Sequence, residues 1–139
     1  RFAYLADFIP GILGMGVNIG TQSSTIVVRG LATGRINVRD FWGVVSKEFL
    51  IGLILGVFYA VLIASVAQFH YTVLMLALTV GAAVVISMTV AALVGSGVPL
   101  LLARLNIDPA VATGPFVTTS IDIISVYCYF ILATTLLGV

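Results

Sequence analysis

Charge is what this sequence has least of. Six Lys and Arg and five Asp and Glu are spread over 139 residues, beside one histidine and one cysteine. A net charge of +1 excludes a broad electrostatic surface for nucleic acid, and equally a strongly acidic partner. A lone Cys128 has nothing to pair with, so it excludes an internal disulfide and a thiolate metal site. Its expected role is helix packing. His70 likewise has no second His or Cys to join it as a metal ligand and is expected at an interface.

Apolar residues fill the rest. They make up 61% of the chain, with a mean hydropathy of +1.26, outside the balance of a soluble domain, so lipid is the expected solvent. A bilayer core about 30 Å thick takes roughly 20 apolar residues per helix. Four runs meet that length, at about 4–28, 49–67, 73–103 and 111–139. The expected fold is all-α: one integral membrane domain over 1–139, a bundle of four transmembrane helices per chain. Gly95, Ser96, Gly97 and Pro99 predict a kink or an early stop in the third run. Because the sequence opens on Arg1 and not Met, it is expected to be part of a longer chain.

Charge placement predicts orientation. Arg29, Arg35, Arg39 and Lys47 lie between the first two runs, whereas the link around 68–72 has no Lys or Arg. The positive-inside rule puts the former in the cytoplasm, joined by Arg104, with both termini outside; only Arg1 disagrees. Asn37, three residues before Asp40 and ahead of Phe41 and Trp42, predicts a capped helix entering along the interface, with Trp42 as an anchor. Asp7, Lys47 and Glu48 sit near run ends, where side chains reach the interface. Gly16 and Gly20, and Gly52 and Gly56, have the spacing that lets helices approach closely.

One ionisable side chain lies well inside a run. Asp122 follows Val111 by eleven residues, about 16 Å along a helix, near mid-membrane. A carboxylate there costs at least about 2.5 to 3.5 kcal/mol on insertion scales, so it should face protein or water. Gly114, Thr118, Asp122, Ser125 and Tyr129 follow at spacings of four, four, three and four, which places them on one helix face. In the first run, Asn18, Thr21 or Gln22, and Thr25 share a face in the same way. The bland alternatives are an Asp hydrogen-bonded to a neighbouring helix, and ordinary interhelical bonds from the amides and hydroxyls.

Such a lining suits Mg²⁺, which sheds water reluctantly and is usually held by one or two carboxylates. One carboxylate does not balance a divalent ion, so a homodimer presenting Asp122 from each chain is expected. Asp108-Pro109 is a turn signal first and an ion ligand second.

Two segments resemble a known family. The run Asn18-Ile19-Gly20-Thr21-Gln22-Ser23-Ser24-Thr25, followed by Arg29-Gly30-Leu31-Ala32, resembles the N-x-G-x-Q-S-x-T and R-x-L-A pattern of MgtE magnesium channels. Asp108-Pro109-Ala110, then Pro115 and Asp122, supply the second match. The resemblance implies the second to fifth helices of a five-helix, homodimeric membrane domain that conducts Mg²⁺ through a dimeric pore in the cell membrane. It implies that Asp122 holds the hydrated ion with the Thr118 backbone oxygen nearby, and that Asn18, Thr21 and Thr25 line the pore. Asp108 matches a position that helps hold regulatory Mg²⁺ against soluble cytoplasmic gating domains elsewhere in the parent chain. Gly114 and Thr21 depart from the family, standing where its familiar members carry Asn.

The rival reading is a carrier coupling the cation to protons or sodium, with Asp122 as the titrating group. Intramembrane aspartyl proteolysis needs two carboxylates in one site and only one is deep, so no enzyme is expected. A purely structural membrane subunit is the remaining alternative.

Overall fold

The computed structural model describes residues 3–112 and 114–138. Arg1, Phe2, Thr113 and Val139 lie outside the described residues, and with them the outer position expected of Arg1 and two positions of the expected fourth helix. Five helices follow in order: α1 (Ala3–Ala6), α2 (Ile9–Ala32), α3 (Phe41–Tyr71), α4 (Leu74–Arg104) and α5 (Pro115–Leu137), with 3-10 turns at Val38–Asp40 and Pro109–Ala112.

Local chemistry sets the boundaries. Pro10 stands in the first turn of α2, where its missing N–H costs nothing. The far end of α2 closes at Gly34, whose φ of 71° only glycine adopts freely. There the Gly34 amide donates to the Leu31 carbonyl at 3.2 Å and the Ile36 amide to the Gly30 carbonyl at 3.0 Å. The Asn37 side chain accepts from the Arg39 amide at 2.9 Å, capping a 3-10 turn that runs directly into α3. The expected interfacial helix is therefore the start of the span itself, and α3 begins at Phe41 and not near 49. Lys47 is exposed and Glu48 is buried, so neither charge interrupts the helix.

α3 and α4 are joined by only Thr72 and Val73. Thr72 takes a φ of 54° and donates its amide to the Gln68 carbonyl at 2.9 Å, finishing α3. α4 continues through Pro99 to Arg104, so the early stop expected there does not occur. Pro99 and Leu100 are buried among neighbouring helices, and tertiary packing overrides the local breaker. α5 begins later than the expected 111. Gly114, at φ 91°, turns the chain and Pro115 opens the helix.

α4 is the central helix: α2, α3 and α5 all pack on it, and α2 also meets α5. Close approach uses small residues. A Cβ on Gly52 would sit 2.7 Å from the Ala92 Cβ and 3.0 Å from the Met88 carbonyl, which fixes the α3–α4 spacing. The outer faces of α3 and α5 expose Ile54, Phe58, Leu62, Ile123, Tyr127 and Phe130, a surface that suits lipid. At the basic end, the Arg104 Nε donates to the Val38 carbonyl at 3.2 Å while its guanidinium lies over the Phe41 ring. Trp42 is exposed at that same end.

Among the described residues, three stretches are long and apolar enough to cross a membrane: Val38–Tyr71, Leu74–Arg104 and Pro115–Leu137. α2 has the length, at 24 residues, but its polar run lowers its apolar content.

Candidate functional site

α5 packs through Val117, Ile121, Ser125, Tyr129 and Ala133, a buried strip at spacing four. Residues at that spacing drift by about 40° per step around a 3.6-residue helix. The five positions expected on one face fall within about 80° of one another on such a helix, yet they are covered to different extents. Ser125 and Tyr129 turn into the bundle: the Ser125 and Ser87 hydroxyls share a 2.7 Å hydrogen bond, and the Tyr129 hydroxyl donates to the Leu5 carbonyl at 2.9 Å. Gly114, Thr118 and Asp122 are half-buried at the edge of the strip. The Thr118 hydroxyl donates back to the Gly114 and Pro115 carbonyls, both at 3.2 Å, so it remains an acceptor outward.

Asp122 lies beside Ile121, which packs against Gly20 of α2 and clusters with Ala91 of α4, both near the middle of their helices. Its Oδ1 is enclosed without a hydrogen-bond partner among the described residues. The carboxylate borders an open hollow with Ile123, Val126, Tyr127 and Phe130, on the face of α5 turned away from the bundle. A carboxylate in apolar surroundings needs a cation, water or another chain to satisfy it.

α2 shows the complementary pattern. Ile12, Gly16, Ile19, Gly20, Ser23, Ser24, Val27 and Gly30 form its buried side. Asn18, Gln22 and Thr25 are exposed on the other side, with Thr21 half-buried at the margin. Thr21 donates to the Val17 carbonyl and Thr25 to the Thr21 carbonyl at 2.8 Å, while the Asn18 and Gln22 amides make no side-chain hydrogen bond among the described residues. A mid-helix strip this polar is unsuited to lipid. The shared face expected for Asn18, Thr21 or Gln22, and Thr25 is the exposed one.

Asp108 is exposed at the basic end, where its Oδ1 accepts from the Ala110 amide at 2.9 Å and holds the turn. It rims a cavity of about 670 Å³ also lined by Val28, Leu31, Ile36, Asn37 and Asn106. Asp7 accepts from the Tyr71 hydroxyl, and His70 stacks edge-on with the Tyr71 ring. Among the described residues, no three His, Cys, Asp or Glu side chains gather to hold a metal ion.

Sequence reasoning passes over Glu48. Expected to reach the interface, it is 7% exposed and accepts a 2.6 Å hydrogen bond from Ser23 of α2, itself 2% exposed. A signal for this exists in the sequence: Glu48, Gly52, Gly56 and Ala60 repeat at spacing four on the buried side of α3, so Glu48 belongs to the same strip as the close-packing glycines.

Three apolar crossing helices around a small-residue core define a multi-pass, all-α integral membrane protein. Residues 9–132 match the family model described as MgtE, divalent cation transporter. A magnesium transporter MgtE of Thermus thermophilus is 38% identical over 133 residues, 96% of this chain. Those of Enterococcus faecalis and Bacillus subtilis are 40% and 35% identical, each over 94% of it. The chain belongs to the MgtE family of divalent-cation transporters. It spans 29% of the length of each of these relatives. The family is one of transporters and not of enzymes.

Proposed function

We propose that this chain forms part of the membrane pathway of an Mg²⁺ channel, assembled from two copies, with Asp122 as the ion-holding group. The observation that carries this reading is the Asp122 carboxylate, flanked by mid-helix neighbours, with one oxygen enclosed and unpartnered among the described residues on an otherwise apolar face. A hydrated Mg²⁺ would satisfy it through its waters, and a second Asp122 would complete the charge balance. Thr118 supplies an oxygen toward the ion, and Gly114 borders the same edge of α5. The exposed strip Asn18, Thr21 and Thr25 on α2 offers amides and hydroxyls to the ion's water shell. Ser125, placed by its bond to Ser87 on the inward side, supports this wall from behind. The exposed Asp108 is suited to a regulatory Mg²⁺ held jointly with soluble domains of the parent protein. Arg29, Arg35, Arg39, Lys47 and Arg104 put that end in the cytoplasm.

The test is Mg²⁺ flux into proteoliposomes carrying a Mg²⁺-sensitive dye, comparing the intact parent protein with its Asp122→Asn variant at matched folding. The expected result is a fall of roughly tenfold or more, equal to about 1.4 kcal/mol of lost ion stabilisation per decade. Equal flux in both would remove Asp122 from the pathway. Flux that follows an imposed pH gradient in the wild type would identify a coupled carrier instead.

A further inference from the structure

Glu48 is a buried carboxylate that the proposed pathway does not use. Its neighbourhood contains one hydroxyl partner, Ser23, at 2.6 Å, and no basic side chain in ion-pair distance among the described residues. Burying such a group inside a spanning helix is unfavourable unless it performs a task there.

The two helices it joins have few other ties. α2 and α3 each pack chiefly on α4, and beyond this bond they come together mainly in the cluster of Val27, Val45 and Leu100. α2 rests on α4 and α5 through glycines: Gly20 lies against Gly95 and Ile121, and Gly16 lies under Ser87 and Ser125. The glycines allow close approach, and Ile12, Ile19 and Val27 pack apolar side chains into the core beside them, contacts that lack the directionality of a hydrogen bond. Directional bonds onto the inner side of α2 are correspondingly sparse. The Ser87 hydroxyl reaches the Ile12 carbonyl only at 3.5 Å, and Ser23 to Glu48 is the short one.

Rotation is what matters for α2. Ser23 lies on its buried side, with Asn18 and Thr25 on the exposed side. Holding Ser23 therefore sets the direction in which the polar strip points.

We infer that Glu48 is a positioning residue for transport: by accepting from Ser23 it fixes the rotation of α2 and so the presentation of Asn18, Thr21 and Thr25 to the ion. This rests on the pathway reading above and names a determinant outside its lining.

The experiment uses the intact parent protein in dye-loaded proteoliposomes, with flux measured across a Mg²⁺ series and normalised to folded protein. Ser23→Ala and Glu48→Ala are each expected to raise the half-saturating Mg²⁺ concentration several-fold, and the double variant no further than the larger single effect. Glu48→Gln, which keeps an oxygen acceptor for Ser23, is expected to return close to wild type. A merely structural role would lower the folded fraction and leave half-saturation unchanged. That result, or effects that multiply in the double variant, overturns the inference. If Glu48→Ala does not fold, Ser23→Ala and Glu48→Gln decide: unchanged half-saturation in Ser23→Ala overturns it, and a shift there with Glu48→Gln near wild type supports it. Asp122→Asn runs alongside. Unaltered flux in that variant defeats the pathway reading, whereas its loss together with wild-type behaviour in Ser23→Ala defeats only the role of Glu48.

Discussion

Ser87 and Ser125 meet across α4 and α5 at 2.7 Å, directly against Gly16. A Cβ on Gly16 would come within 2.6 Å of the Ser87 hydroxyl and 3.2 Å of the Ser125 hydroxyl. Gly16→Ala must therefore displace one or both hydroxyls and is expected to cost about 1 to 3 kcal/mol, the range for overpacking. Gly11→Ala, on the same helix with open space around it, is expected to be neutral or stabilising by up to about 1 kcal/mol through helix propensity. Thermal unfolding of both variants in detergent checks the contrast.

Thr72 closes α3 with a φ of 54°, a conformation that strains a residue with a branched Cβ. Thr72→Gly is expected to raise stability by about 1 kcal/mol, since the turn holds its shape and the side chain's contribution is local. A lowered midpoint of unfolding would show instead that Thr72 is held by more than its backbone.

The two faces of α2 and α5 predict opposite behaviour on substitution. Asn18→Leu and Thr25→Val alter exposed positions and are expected to shift stability by no more than about 0.5 kcal/mol while lowering Mg²⁺ flux. Ser125→Ala strips one partner from a buried pair and is expected to lose about 0.6 to 1.7 kcal/mol. Unfolding and flux measured on the same preparations separate pathway from packing.

Asp108 has a structural duty and a charge, and one substitution divides them. Asp108→Asn keeps an oxygen to accept from the Ala110 amide, so the turn and the unfolding midpoint should be unchanged. Loss of the charge is expected to weaken any control of flux by Mg²⁺ on the basic side of the membrane. Flux at several Mg²⁺ concentrations on that side is the readout.

Much of this is legible in the residues. Hydropathy and charge placement reveal a helical membrane bundle, and the glycine pairs of α2 and α3 sit at the close contacts their spacing predicts. Helix ends are harder to read. Pro99 looks like a stop in sequence, but its helix is enclosed by neighbours and continues. The polar stripe of α5 reads as one face when spacings of three and four are treated as equivalent. The positions do fall within about 80° of one another, and what the spacing does not show is which of them the neighbouring helices cover: Ser125 is buried against Ser87 while Asp122 is half-buried. Glu48 escapes because a charge near the end of an apolar run has an easy explanation in water, and only the position of Ser23 shows that it points the other way.

The arrangement of helices around α4 also determines how motion in this bundle can be observed. α3 is attached almost wholly through α4, while α2 and α5 touch both α4 and one another. A spectroscopic label fixed on α4 would thus serve as the origin of a common coordinate system. Distances from it to labels on α2 and α5 would change together if the proposed pathway widens, and the distance to α3 would stay constant.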